Sequence, residues 1–137
     1  MKWFIIGDGP ESEKTLLEQE IKKFGVEDTV VLLGNKPNPF PYLSKADLFV
    51  LTSVYESYPT VINEAKVLNI PIMANDIPPA HEMLQTDEAI IVGIKDMPSK
   101  IVELINNKNE YASMKCQRYD FSESNKALLD EFYALTE

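Results

Sequence analysis

The chain has 137 residues and a formal net charge of −9, and 45% of its residues are hydrophobic. This size and composition predict one globular domain over residues 1–137 and exclude wholesale disorder, while the negative charge argues against nucleic acid as the main partner. Cys116 is the only cysteine and no apolar run approaches the ~20 residues of a membrane span, so we expect a cytoplasmic chain without an intrachain disulfide or a membrane span.

The first part of the chain alternates strand and helix signals. The apolar run WFII ends at Gly7 and predicts a buried strand; Pro10 then suits the first turn of a helix that Gly25 stops. The run TVVLLG predicts a second strand that also ends in glycine. The segment NKPNPFP contains three prolines in seven residues and is expected to be an extended loop without regular structure.

The rest of the chain continues this alternation. DLFVLTS predicts a third strand, and a helix is predicted from about Pro59 to Leu68. IPIMAN and EAIIVG predict two further strands, and helical patterns begin near Pro98, Glu110 and Ser122. Short apolar strands that alternate with helices indicate an α/β fold, a Rossmann-like parallel sheet with helices on both faces.

The turn Gly7-Asp8-Gly9-Pro10 lies where ligands gather in such folds, at the carboxyl end of a strand. Its glycines would allow close backbone approach, and the following helix offers free N–H groups for a phosphate. It is a poor dinucleotide fingerprint, because Ser12 occupies the third glycine position. A tight turn that needs glycine and binds nothing is an equally weighted alternative.

Glu56 and Glu64 stand eight positions apart, on either side of the predicted helix start at Pro59. Glu64 is expected at the rim of the core, where the helix dipole alone could explain it, and Glu56 alone could be a solvated loop acid. Together, two carboxylates at the carboxyl end of a strand fit a polyhydroxyl group beside a phosphate. Carboxylates accept hydroxyl donors, and backbone N–H groups hold the anion.

The spacing Glu56-x7-Glu64 resembles the paired-glutamate motif of retaining GT-B glycosyltransferases of group 1, also called family 4. The resemblance runs in order along nearly the whole chain, through FIIGDGPE, VVLLGNKPNPFPYLSKADLFVLTSVYESYPTVINEA and NIPIMANDIPPAHEML. It implies the C-terminal, donor-binding half of a GT-B fold in a hexosyltransferase that moves a sugar from a nucleotide-sugar to an acceptor. The context implied is cell-surface polysaccharide synthesis, and the partners implied are the nucleotide-sugar and an N-terminal acceptor domain.

The resemblance also implies roles for individual residues. Glu56 would contact the hydroxyls of the donor sugar as the catalytic residue, and Glu64 would contact the ribose hydroxyls. The glycine turn would border the phosphates, and two residues would lie near the base. The segment around the helix start would contact the sugar and the diphosphate. These residues are Gly7 and Gly9, Asn35 and Lys36, and Ser57, Tyr58, Thr60 and Val61.

The chain departs from the family pattern at several points. Ser57 and Tyr58 replace the usual Gly-Phe, and Asn69 replaces a common glycine, which asparagine can tolerate at a helix end. Pro79 stands where glycine is frequent and removes one N–H donor. Family members begin this domain one strand and one helix earlier. We therefore expect the first strand, the first helix and the acceptor domain to be missing, and the chain to be inactive alone.

The remaining candidates predict less chemistry. His81, the only histidine, is expected as a solvated residue of a proline-rich loop, and Cys116 as a structural or exposed thiol. No Asp-x-Asp pair or histidine cluster occurs, so we expect no metal and no cofactor. A nucleotide-sugar epimerase and a non-catalytic nucleotide-binding regulator stay as alternative functions. For the full enzyme, two locations stay as alternatives: free in the cytoplasm, or peripheral at the inner face of the membrane.

Overall fold

The computed structural model describes residues 1–84 and 89–107. The helical patterns predicted from Glu110 and Ser122, and also Cys116, lie outside the described residues. The chain divides into two compact units, Met1–Pro41 and Tyr42–Glu137, called the first and second unit below. The expectation of a single domain over residues 1–137 stays a prediction. No helix within residues 1–84 and 89–107 is long and apolar enough to cross a membrane.

The first unit is built on two parallel strands joined by a helix. Strand β1 (Trp3–Ile6) pairs with β2 (Val30–Gly34), and α1 (Glu11–Lys23) connects them. The helix ends as the sequence predicts, because Gly25 adopts a φ of 63°, a conformation that glycine reaches without a Cβ clash. Side chains of both strands are half-buried or exposed, and no residue of this unit is fully buried. WFII is therefore a strand as predicted, but the prediction that this strand is buried is wrong.

The second unit contains a three-stranded parallel sheet with β4 at its centre. The strands, in the order β3-β4-β5, are β3 (Phe49–Leu51), β4 (Ile72–Asn75) and β5 (Ala89–Val92). Three helices follow the three strands in turn, as is usual for a parallel sheet. They are α3 (Thr60–Val67), α4 (Pro78–Met83) and α5 (Met97–Asn106).

Helices cover both faces of this sheet, as predicted. Alternate residues of a strand point to opposite faces, and β4 is buried on both. One face packs against α3 and α4 in a cluster that includes Ile62, Ala65, Ile72, Ala74 and Ala80. The other face packs against α5 in a second cluster, built on Met73, Met97 and Leu104. The buried core of the described chain therefore lies in the second unit.

Two proline-rich segments contain short helices, so the prediction of irregular structure is wrong where these helices begin, whereas residues 35–39 are irregular as predicted. Helix α2 (Phe40–Leu43) begins inside NKPNPFP, where the side-chain oxygen of Asn38 accepts the Phe40 N–H at 3.1 Å. Helix α4 begins with Pro78 and Pro79. The first N–H groups of a helix have no partner within it, so proline loses nothing in the first turn.

Asn69 takes the place of glycine at the end of α3, as the sequence suggested that it could. Its φ is 55°, and its N–H and that of Ile70 donate to the carbonyls of Lys66 and Ala65, both at 3.0 Å. These two bonds close the helix end in the same way as at Gly25. They direct the chain from α3 straight into β4.

Candidate functional site

Glu56 lies in the loop that follows β3, and other residues hold its carboxylate in place. Its Oε1 accepts a hydrogen bond from the Ser53 hydroxyl at 2.9 Å, and its side chain is half-buried. The Ser53 carbonyl in turn accepts a hydrogen bond from Nδ2 of Asn75 at 3.0 Å. Glu56 is therefore an oriented carboxylate, unlike the freely solvated loop acid of the simpler interpretation.

Glu64 is the fifth residue of α3, in its second turn, where the sequence placed it. Its side chain is half-buried and adjoins Ala65, which is 0% exposed, so it does stand at the rim of the core. Among the residues that the structure describes, none donates a hydrogen bond to its carboxylate. Both oxygens can therefore accept hydroxyl groups from a ligand.

The start of α3 presents backbone donors between the two glutamates in the chain. Pro59 precedes the helix, and no side chain caps the first turn. The Ile62 N–H donates back to the Pro59 carbonyl at 2.9 Å, and the N–H groups of Thr60 and Val61 lie just before it. The first N–H groups of a helix carry partial positive charge and have no partner inside the helix. They suit an anionic ligand group.

The side chains around this helix start differ in exposure. Ser57, Tyr58 and Thr60 are exposed, whereas Val61 is half-buried and packs against the core. The Tyr58 hydroxyl accepts a hydrogen bond from Nδ2 of Asn63 at 3.2 Å, which ties the loop to the helix. Three of these four residues are therefore accessible from solvent.

The glycine turn of the first unit uses its own N–H groups internally. The Gly7 N–H donates to the Gly34 carbonyl at 3.0 Å, and the Gly9 N–H donates to Asp8 Oδ1, also at 3.0 Å. Asp8 also pairs with Lys14 at 2.6 Å. The Lys14 ammonium first and the Gly9 N–H second hold the pKa of the Asp8 carboxyl below its usual 3.8. A phosphate beside this turn would meet glycine Cα atoms and the start of α1 rather than these two donors.

Asn35 and Lys36 directly follow β2, and β2 runs beside β1. The bond from Gly7 to Gly34 brings the ends of the two strands together, so Gly7 and Asn35 are neighbours at one edge of the first unit. Asn35 is exposed and Lys36 is half-buried. The four predicted donor-site residues of the first unit thus follow the ends of two adjacent strands, β1 and β2. The six predicted donor-site residues of the second unit follow the end of β3.

His81 is not a loop residue, so that prediction is corrected. It lies in α4, and its Nε2 is 2.7 Å from Oδ1 of Asp76, with both side chains exposed. Sequence reasoning also missed Ser53 and Asn75. A serine three residues before Glu56 is a local signal that could have indicated the first contact. The contact of Asn75 joins residues 22 positions apart and has no local signal.

Metal ligands are not grouped in the described part of the chain. Within residues 1–84 and 89–107, no three His, Cys, Asp or Glu side chains come together as a metal site would require. The expectations of a donor site without metal and of an enzyme without cofactor stay predictions.

A family comparison identifies the chain. Residues 1–107 match the family model described as glycosyl transferases group 1. The chain belongs to this family. The resemblance carried by Glu56, Glu64 and the flanking strands is thereby confirmed.

Two relatives of this group 1 chain are glycosyltransferases of greater length. The uncharacterized glycosyltransferase MJ1059 of Methanocaldococcus jannaschii is 37% identical over 75 residues, which make up 55% of this chain and 18% of the relative. The amylovoran biosynthesis glycosyltransferase AmsD of Erwinia amylovora is 30% identical over 91 residues, or 66% of this chain and 25% of the relative. The aligned residues therefore make up a quarter of these relatives or less.

A solved structure supports the fold of this group 1 chain. HepE (Alr3699) of Anabaena, in complex with UDP-glucose, superimposes with a TM-score of 0.83 at 21% identity, covering 97% of this chain and 41% of HepE. The parallel sheets and flanking helices are thus Rossmann-like, and they form part of a GT-B glycosyltransferase fold, as the sequence predicted.

Proposed function

We propose that this chain is the donor-binding domain of a retaining glycosyltransferase. The enzyme transfers a hexosyl group from a nucleotide-sugar to an acceptor in the synthesis of a cell-surface polysaccharide. The observation that carries the proposal is the pair of half-buried carboxylates, Glu56 and Glu64, on either side of the start of α3 in a group 1 chain. Family membership favours transfer over the epimerase and the regulator.

Each glutamate has the chemistry that its role requires. The carboxylate of Glu64, without a hydrogen-bond partner among the described residues, accepts hydrogen bonds from the two ribose hydroxyls. The N–H groups of Thr60 and Val61 receive the diphosphate, because the start of a helix favours negative charge. In the first unit, the family resemblance keeps Asn35 and Lys36 as candidate contacts of the base and Gly7 and Gly9 as candidate contacts of the phosphates.

Glu56 acts on the donor sugar. One carboxylate oxygen is held by Ser53, which leaves the other to accept hydroxyl groups of the sugar. Positive charge develops on a sugar as the bond to its leaving group breaks. A fixed carboxylate near these hydroxyls therefore stabilises the transition state more than the bound donor, which is the condition for raising the rate.

The comparisons support the class of donor and the context. UDP-glucose is the ligand of HepE, so a UDP-sugar is the first donor to test. The name of AmsD supports polysaccharide synthesis. The acceptor would bind an N-terminal domain of the complete enzyme, which we place in the cytoplasm, free or at the inner face of the membrane. Without that domain the chain is inactive.

A single substitution tests the donor site. Replacing Glu64 with glutamine keeps the size of the side chain and removes its charge, so we expect UDP-glucose to bind more weakly by about 1–3 kcal/mol, the range for hydrogen bonds to charged groups. Glu103→Gln makes the same exchange at an exposed position of α5 and should leave binding unchanged. Calorimetric titrations measure both. Equal affinities of Glu64→Gln and the unsubstituted chain would remove Glu64 from the site.

A further inference from the structure

Two hydrogen bonds in series link the buried end of β4 to the carboxylate of Glu56. Asn75 donates from Nδ2 to the Ser53 carbonyl at 3.0 Å. Ser53 donates from its hydroxyl to Glu56 Oε1 at 2.9 Å. Ser53 is therefore held through its backbone and orients Glu56 through its side chain. The proposed donor chemistry does not by itself require either residue.

Asn75 occupies a position that explains its contact. The parallel ladder between β3 and β4 ends at the pair Leu51 and Ala74, whereas the ladder between β4 and β5 extends to Asn75 and Val92. The chain after Leu51 thus leaves the sheet one residue before β4 ends. The side-chain amide of Asn75 bridges this gap to the departing chain.

Burial makes the Asn75 contact specific. Asn75 is 4% exposed, and a buried amide costs free energy unless it is hydrogen-bonded. The Ser53 carbonyl accepts the hydrogen bond from its Nδ2, so the loop after β3 can shift only by breaking this partly buried bond. This contact fixes the first residues of the loop relative to the rigid centre of the sheet.

The second bond determines where the carboxylate points. A glutamate side chain has several rotatable torsions and loses substantial entropy when it is held in one rotamer. The Ser53 hydroxyl carries one proton, and donating it to Oε1 leaves Oε2 to accept from a ligand. Such an outer partner orients a functional side chain before the substrate arrives.

We propose that Ser53 and Asn75 are positioning residues for Glu56. Asn75 fixes the Ser53 carbonyl, and the Ser53 hydroxyl presents the Glu56 carboxylate to the donor sugar in one rotamer. This inference rests on the proposed function and adds to it the groups that preorganise the sugar contact. Neither Ser53 nor Asn75 touches the donor in this arrangement.

The first experiment measures Glu56 itself, without any ligand. Scalar couplings in NMR spectra of the 137-residue chain report the χ1 rotamers of Glu56. We expect one dominant rotamer in the unsubstituted chain and in Ser53→Thr, which keeps the hydroxyl. Ser53→Ala and Asn75→Asp, which replaces the Nδ2 donor with an acceptor, should give averaged rotamers. Ser99→Ala, an exposed serine on α5, serves as the matched control and should change nothing.

The second experiment measures the consequence for the sugar. UDP and UDP-glucose are titrated into each variant, and the ratio of their affinities reports the contribution of the glucosyl group. Ser53→Ala should lower this ratio by about five- to tenfold, the size of one lost hydrogen bond, while UDP binds as before. Ser53→Thr should restore it. In a Glu56→Ala background, Ser53→Ala should have no further effect, because the two residues act through one contact.

The outcomes separate this inference from the proposed function. If Glu56 keeps one rotamer in Ser53→Ala, the positioning role is wrong, whatever the donor does. If the rotamers average but Glu56→Ala leaves the ratio of UDP-glucose to UDP affinity unchanged, the sugar contact of the proposed function is wrong instead. Urea unfolding shows whether the Asn75→Asp variant folds. If that variant does not fold, Ser53→Ala decides the test, because it removes only one hydroxyl group.

Discussion

Gly7 and Gly9 belong to the same turn, but they differ in whether the backbone requires glycine. Gly7 has a φ of +140°, which L side chains rarely adopt, although a Cβ there would meet nothing within 4 Å. Gly9 has no such φ, and an added Cβ would meet only Oε2 of Glu13, at an ordinary 3.6 Å. The backbone itself therefore requires only the first glycine. The second is available for a role in binding.

Substitution of each glycine with alanine should show this difference in the free energy of unfolding. We expect Gly7→Ala to lower the free energy of unfolding by about 1–3 kcal/mol, the usual cost of a strained backbone position. Gly9→Ala should change it by less than about 0.5 kcal/mol, as at most surface sites. If Gly9 borders the phosphates, its added methyl group should still weaken the binding of UDP. Urea unfolding and UDP titration measure the two effects, and equal stability of both variants would contradict the argument from φ.

At the scale of the element, the end of α3 sets the path from the donor segment into β4. Asn69 holds a φ of 55°, where alanine is strained by roughly 1 kcal/mol or more and glycine is not. Asn69→Ala should therefore lower the free energy of unfolding by about 1 kcal/mol, and Asn69→Gly should leave it nearly unchanged. Thermal or urea unfolding of the two variants compares them. If both variants lost the same stability, the side chain of Asn69, and not its φ, would be what matters.

The strands could be predicted from the sequence because each one is a short apolar run. None of these runs alternates apolar with polar residues, so WFII, TVVLLG and IPIMAN stand out against the polar segments around them. Helix α3 could be predicted as well, since Pro59 suits its start and Asn69 its end. These patterns are local in sequence, and in natural proteins local preferences agree with the final fold.

The two short helices and the support of Glu56 could not be predicted in this way. In α2 and α4 the prolines fall in the first turn, where they do not break a helix, and a count of prolines does not show this. The contact of Asn75 with Ser53 exists only because β4 runs beside β3. Such a contact depends on the tertiary fold. The glutamates were recognisable, and the groups that orient one of them were not.

At the scale of the whole molecule, the charge of the chain opposes its proposed ligand. The chain carries a net charge of −9, and a nucleotide-sugar is also an anion. Binding must therefore rest on local groups, the N–H groups at the start of α3 and hydroxyl contacts to carboxylates, and not on the overall field. Added salt should consequently leave UDP-glucose binding unchanged or strengthen it slightly, because screening acts mainly on the long-range repulsion.

The chain spans only part of the length of its relatives. It covers 41% of HepE and spans smaller parts of the curated relatives. We expect the isolated chain to bind a donor without transferring its sugar, because in the proposed function the acceptor binds a separate N-terminal domain. Incubation with radiolabelled UDP-glucose and a panel of lipid and sugar acceptors tests this. Turnover by the pure chain would show that the described half holds a complete active site.

The most direct test of the central claim compares UDP with UDP-glucose on two variants. Glu64→Ala should weaken both ligands by similar factors, because both contain the ribose. Glu56→Ala should leave UDP nearly unaffected and remove only the affinity that the glucosyl group adds. Neither variant should unfold, since both side chains are partly exposed. If UDP does not bind the unsubstituted chain, or if Glu56→Ala weakens UDP as much as Glu64→Ala does, this account of the donor site is contradicted.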